Sequence, residues 1–263
     1  MSLFNTELLA FTVATTVITS GVAYAIYWAL NDSPISRWLH DSDAVVPSFL
    51  SITSFIFGLA ISTLAGYSFD RHQSAITNQI TESNAIETII STATVLPIKD
   101  QKEIHSGLKN YLIAVIEKEW PAMENRDASK REISTPEFQA LNKIISGIAY
   151  QPNQRSGVES QLLSAIGVIR HDRQIRQSLA YDNDSLKKWP SIPVCSILLL
   201  LSVGIVHLGS LKAMKVSLSI ASLCIVTAMI FLFIAVSPYR GWNLVEPYKL
   251  QNSLLMLDTL KSN

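Results

Sequence analysis

Four stretches of the chain are apolar enough to cross a bilayer, and the rest reads as soluble helix. Residues 8–30 are apolar, rich in hydroxyls and free of charge. About 20 such residues span a membrane. No basic run precedes them, and they are long for the apolar core of a signal peptide, so a retained span is expected. Asn31-Asp32-Ser33-Pro34 ends this helix with turn residues, and Trp38 and His40 follow at interface depth. A second apolar stretch covers residues 45–66, with Pro47 near its start, where proline is tolerated. No breaker follows Tyr67, and the helical pattern continues through Asp70, Arg71, Ile76, Ile80, Glu82 and Ile90. One long helix is therefore predicted to leave the membrane and run to about Thr94, with Pro97 ending it. The third stretch covers residues 192–211 and the fourth 216–236. The short link Lys212-Ala213-Met214-Lys215 makes these two a hairpin.

Residues 95–189 have a soluble pattern. Asp100 and Glu103 have capping-box spacing and predict a helix ending at Trp120-Pro121. Leu108, Leu112, Val115 and Ile116 keep helical spacing along it. Residues 122–133 read as a charged loop. Ser134-Thr135-Pro136-Glu137 opens a helix that ends near Tyr150, before Gln151-Pro152. Ser156 and Glu159 open another, running to about Ala180 with Leu162, Leu163, Ile166 and Ile169 on one face. A short amphipathic helix, about 250–260, closes the chain. The expected class is all-α: four transmembrane helices with a helical cytoplasmic domain inserted between the second and third. The boundaries are residues 1–66, 67–189, 190–237 and 238–263.

Composition sharpens this picture. Of the 263 residues, 48% are apolar and only 16% charged, against about 25% charged in an ordinary soluble domain. The mean hydropathy is +0.27. Twenty-one basic and 21 acidic residues cancel, which argues against nucleic acid as a partner. Cys195 and Cys224 sit in apolar stretches and give no disulfide framework or metal motif. Four spans put both termini and the inserted domain on one side. That side carries Arg71, Lys187, Lys188, Arg240 and Lys249 near the membrane, against Arg37, Lys212 and Lys215 on the other. The excess orients the domain to the cytoplasm. A bacterial inner membrane is the expected location.

No catalytic motif is visible among the five scattered histidines or the glycines, so no enzyme, cofactor or metal is expected. His72 with Asp70, and His171 with Asp172, read as surface pairs. Arg170, Arg173 and Arg176 read as a solvated face. His207 reads as a hydrogen-bonded group inside the third span. Thr12, Thr15, Thr16, Thr19 and Ser20 form a hydroxyl stripe on the first span, suited to helix packing or to a wet path. On the second span Ser54, Gly58, Ser62 and Gly66 recur every four residues, a row that admits close helix packing. Phe55, Leu59 and Phe57 are read on the opposite side. In an oligomer, bulky apolar residues around an axis make a dewetting gate.

Several blocks resemble the bestrophin-like domain-of-unknown-function family of bacteria and plants. They are Phe57-Gly58-Leu59-Ala60, Asp70-Arg71, Glu82-Ser83-Asn84-Ala85-Ile86, and Tyr111 followed by Glu119-Trp120-Pro121-Ala122-Met123. Arg170, Arg173 and Arg176 leading to Trp189-Pro190 follow, then Pro238-Tyr239-Arg240-Gly241 with Val245-Glu246-Pro247. That family is distantly similar to bestrophins, which are oligomeric anion channels with a neck on the second helix. Ser54-Phe55-Ile56-Phe57-Gly58-Leu59 is similar to the neck pattern, with leucine in place of a final phenylalanine. Ser51 stands where bestrophins carry an apolar neck residue. The acidic calcium clasp of animal bestrophins has no counterpart, since residues 239–250 contain only Glu246 as an acid. The resemblance implies a homo-oligomer in a lipid bilayer that passes chloride or another small anion. Phe55 and Leu59, with Ser51, Thr12 and Thr16, are the pore candidates. The alternative is a non-conducting scaffold whose soluble domain binds a partner. A lipid-acting enzyme ranks last.

Overall fold

The computed structural model describes residues 2–34, 36, 48–151, 156–181 and 189–262. Arg37, Trp38, His40, Pro47, Pro152, Lys187 and Lys188 lie outside the described residues. Among those described the regular elements are all helical: α1 (Ser2–Asn31), α2 (Ser48–Ala93), α3 (Ile98–Ala114), α4 (Trp120–Glu124), α5 (Thr135–Ala149), α6 (Ser156–Tyr181), α7 (Ser191–Val206), α8 (Leu211–Ile234) and α9 (Tyr248–Ser262). The chain separates into two compact units. One comprises Met1–Asp70 with Asn183–Val236, the other Arg71–Asp182 with Ser237–Asn263.

In the first unit, Ala23, Ile26 and Leu30 of α1 interlock with Leu199, Leu200 and Val203 of α7 and Met214, Leu218 and Ile225 of α8. Gly204 permits the close approach of α7 to α1. A Cβ there would meet Leu30 Cδ1 at 2.5 Å and Ile26 Cγ2 at 3.2 Å. Phe11 stacks on Phe233 with ring centroids 4.4 Å apart. The first part of α2 adds Phe57, Ile61 and Leu64, which pack with Ile192 and Leu232. Among the described residues three helices are long and apolar enough to cross a membrane: Phe4–Asn31, Phe49–Ala93 and Leu211–Ile234. At 46 residues α2 rises ~69 Å, far more than the ~30 Å hydrocarbon core. The 16 residues of α7 rise ~24 Å.

The turn between α7 and α8 falls five residues earlier than the sequence pattern suggests. It occupies the interval between Val206 and Leu211, and Lys212 and Lys215 belong to the start of α8. The Ser210 side chain caps that helix by accepting from the Ala213 N–H at 3.4 Å. His207 therefore sits just beyond α7, with Nδ1 2.8 Å from the Val203 carbonyl and Nε2 3.2 Å from Ser217 Oγ. Apolar counting missed this because a lysine near a helix end can snorkel and leave the helix intact.

The second unit is built on steps of three and four. Ile86, Ile89, Ile90 and Ala93 of α2 meet Ile104, Leu108 and Leu112 of α3, Leu141 and Ile145 of α5, and Leu162, Ile166 and Ile169 of α6. Leu250 and Leu257 of α9 complete this core. Burying each large aliphatic side chain stabilises by about 1.5–3 kcal/mol. Two expectations fail here. Helix α3 begins at Ile98 behind Pro97 with no side-chain cap, and Asp100 is buried inside its first turn. Nor does the helix stop at Trp120-Pro121. It passes through a π-helical turn, Val115–Glu119, into α4, where Pro121 occupies the tolerant first turn. Residues 122–133 are correspondingly more ordered than a charged loop. A 3₁₀ turn, Ala128–Lys130, is capped by Asp127, whose carboxylate accepts from the Ser129 N–H at 3.2 Å.

Candidate functional site

Two parts of the molecule gather chemistry: the outward side of α2 in the first unit, and a buried ionic network in the second. On α2, Phe57, Ile61 and Leu64 turn inward, and the side away from them is bare. Phe55 is 71% exposed and Leu59 56% exposed. Ser51, Ser54, Gly58, Ser62 and Gly66 are exposed with them. No heavy atom lies within 4 Å of a Cβ built at Gly58 or Gly66. Among the described residues, then, no other helix packs on the small-residue row. Phe55 and Leu59 do not lie opposite that row but beside it, while Phe57 faces in. The reason is helical geometry: a residue advances about 100° on its predecessor, so Phe55 and Leu59 fall on the same broad side as Gly58 and Ser62.

Thr12 and Thr16 are elsewhere, on α1. Their hydroxyls donate to the carbonyls of Leu8 and Thr12, at 2.7 and 2.8 Å. Thr15 and Thr19 line an apolar cavity of about 380 Å³ with residues of α7 and α8. Thr16 and Ser20 line a second groove between α1 and α8.

The buried network centres on Arg176, which is 1% exposed. Its Nη1 pairs with Glu82 Oε2, and its Nε lies 3.1 Å from Glu119 Oε1. Tyr111 donates its hydroxyl to the other Glu82 oxygen at 2.6 Å. The Ser134 hydroxyl donates to Glu119 Oε2, which diverts it from capping α5. Arg173 donates from Nε to Ser134 Oγ at 3.2 Å and from Nη2 to Thr135 Oγ1. The guanidinium carbon of Arg176 lies 5.6 Å from the Trp120 ring centroid, and Trp120 Nε1 donates to the Val245 carbonyl at 3.0 Å. Burial works against the charge of Arg176, but Glu119 and Glu82 outweigh it and hold the group well above its ordinary range. Burial, then the Glu82 charge, drives the Tyr111 phenol well above 10.0.

This overturns two surface readings. Arg173 and Arg176 are buried, and only Arg170 of the three is exposed, reaching Asn142 at 3.0 Å. Asp172 is buried too, with Oδ2 lacking any partner. Burial, then the Glu82 charge, pushes its carboxyl up to about 6. The signal that could have found the network is the pairing of several charges with a strongly apolar helical core, where buried charges require partners. The π turn at 115–119 carried no legible mark. Among the described residues no group of three or more His, Cys, Asp or Glu side chains is placed to hold a metal ion.

An all-helical chain with a long apolar helix bare on one side, continuing into a charge-locked helical unit, is a membrane-protein architecture. The fold is shared by solved bacterial bestrophin homologues. Two single-substitution variants of a homologue from Klebsiella pneumoniae align with TM-scores of 0.65 and 0.66 at 12% identity, each over 95% of this chain and 99% of theirs. A search of curated proteins found no match. The bestrophin-like domain model matches residues 17–250, and the chain belongs to the bestrophin-like family. It is an integral membrane protein of that family.

Proposed function

We propose that the protein is an oligomeric anion-selective channel whose neck is the bare side of α2. The observation that carries this is the exposure of Phe55 and Leu59 beside a row of small residues that none of the described residues covers. A single helix cannot enclose a pore, so several copies bring these faces together. The small row lets neighbouring backbones approach, and the rings of Phe55 and Leu59, ~6 Å apart in height, form an apolar constriction. Such a constriction blocks ions by excluding water and conducts when it wets. Ser51 adds a hydroxyl one turn away, on the same side of α2. In this reading α7 is a fourth crossing beside the three longer helices. Both termini and the helical domain then lie on the cytoplasmic face of a bacterial inner membrane, following the basic-residue excess. Chloride or a similar small anion is the permeant species. Thr12 and Thr16 are secondary candidates on α1, where each hydroxyl donates to a carbonyl of its own helix.

Cross-linking tests the arrangement. In a Cys195→Ser, Cys224→Ser background, Phe55→Cys treated with a short bis-maleimide in membranes should yield a covalent dimer, the largest product that one thiol per chain allows. Leu223→Cys, equally exposed but on α8, should remain monomeric. Monomer alone from Phe55→Cys contradicts the shared neck and leaves a non-conducting scaffold as the better reading.

A further inference from the structure

The groove between α1 and α8 has the make-up of a binding site. It encloses about 590 Å³ and is lined in part by Thr16, Tyr24, Tyr27, Lys215, Ser219 and Ser222. Lys215 is the one charged member of the lining among the described residues. Among the described residues no carboxylate pairs with it, and its ammonium lies 5.1 Å from the centroid of the Tyr27 ring. Deeper in the groove stands Ser222, 8% exposed, whose hydroxyl has no hydrogen-bond partner among the described residues. The hydroxyls around it behave otherwise: Thr16, Ser219 and Thr227 each donate to the carbonyl four residues earlier. Leu223 and Val226 continue the lining beyond Ser222. From Lys215 to Val226 the groove follows α8 for ~16 Å.

We propose that this groove binds one anionic glycerophospholipid. The phosphate meets Lys215 at the end of α8, where a cation near a helix end and the tyrosines beside it suit the headgroup level. An acyl chain follows the apolar lining inward, and an ester oxygen supplies the partner that the Ser222 hydroxyl lacks. The occupant is a lipid and not a free anion, because the groove runs on past Ser222 along the apolar side chains of Leu223 and Val226, and both walls are helices long and apolar enough to lie in a bilayer. The assignment rests on the membrane reading of α1 and α8 and is independent of conduction.

Native mass spectrometry of the purified full chain, titrated with phosphatidylglycerol, phosphatidylcholine or glycerophosphate, tests this. Phosphatidylglycerol should be retained in preference to phosphatidylcholine, and glycerophosphate should not be retained. Loss of one charged contact in Lys215→Ala should weaken retention about tenfold. Lys215→Arg should preserve it, and Lys212→Ala, which removes the same charge outside the groove, should leave it unchanged. Ser222→Leu, which fills the groove floor with Lys215 intact, should weaken retention of phosphatidylglycerol as well. Equal retention of the two lipids overturns the proposal, as does equal loss from Lys212→Ala and Lys215→Ala, or retention untouched by Ser222→Leu. Tight glycerophosphate binding overturns the lipid assignment.

Discussion

Arg176 is the residue on which the second unit depends most. A single guanidinium answers two glutamates, Glu82 and Glu119, that are both fully buried. Removing one partner of a buried pair costs about 3–5 kcal/mol, because the orphaned charge stays out of water. Arg176→Ala should therefore lower the thermal midpoint in detergent sharply, and a shift of only a degree or two would contradict the account. Glu82→Gln should cost less, since the amide oxygen still accepts from Tyr111 and Arg176 keeps Glu119. Asp172 predicts a pH dependence. Its carboxyl is raised to about 6 from 3.8, so the folded state holds its proton over a pH range where the unfolded chain releases it. Stability from this group is complete below about pH 4 and is lost as the pH rises through 6. Asp172→Asn should thus stabilise by up to about 3 kcal/mol above pH 7 and by almost nothing near pH 4. Thermal melts of both proteins across that range check the sign. None of these four charges, Arg176, Glu82, Glu119 and Asp172, was legible as buried in the sequence. Their helix spacing matches that of a solvated face, and only the packing of α2, α3 and α6 decides which side is covered.

At the scale of elements, the long apolar runs fixed α1, α2 and α8 well, because hydropathy over some 20 residues is a strong signal. The extension of α2 to Ala93 was equally legible, since nothing breaks the pattern before Pro97. What hydropathy could not supply was local hydrogen bonding: the Ser210 cap that moves the α7–α8 turn, and the π turn that carries the helix past Pro121. Two glycines separate packing within the chain from packing between chains. Gly204→Val forces a side chain against Leu30 and Ile26 and should destabilise by about 1–3 kcal/mol, read as a lower thermal midpoint. A Cβ at Gly58 has no heavy atom of the described residues within 4 Å, so in Gly58→Leu helix content and elution of a folded species should persist. If copies pack along α2, the same change should reduce the oligomer to smaller species in light scattering. An unchanged oligomer would show that this row is not an assembly surface.

At the scale of the molecule, the sequence pattern and the family resemblance converge on the same long helix. Resemblance pointed to Phe55 and Leu59, and the structure leaves both uncovered. Within one chain that exposure has a cost in water and little in lipid, and it becomes a constriction only around a symmetry axis. The proposed neck could be suspected from the sequence because Ser54-Phe55-Ile56-Phe57-Gly58-Leu59 is a contiguous motif. The lipid groove could not, because Lys215, Tyr27 and Ser222 come from two helices distant in sequence. Conduction through the neck is the central claim, and current across a planar bilayer tests it most directly. The reconstituted protein should pass chloride in preference to sodium, and Phe55→Ala, by widening and wetting the constriction, should raise the current severalfold. Silence from a verified oligomer across voltage and pH, or a current indifferent to Phe55→Ala, would contradict it.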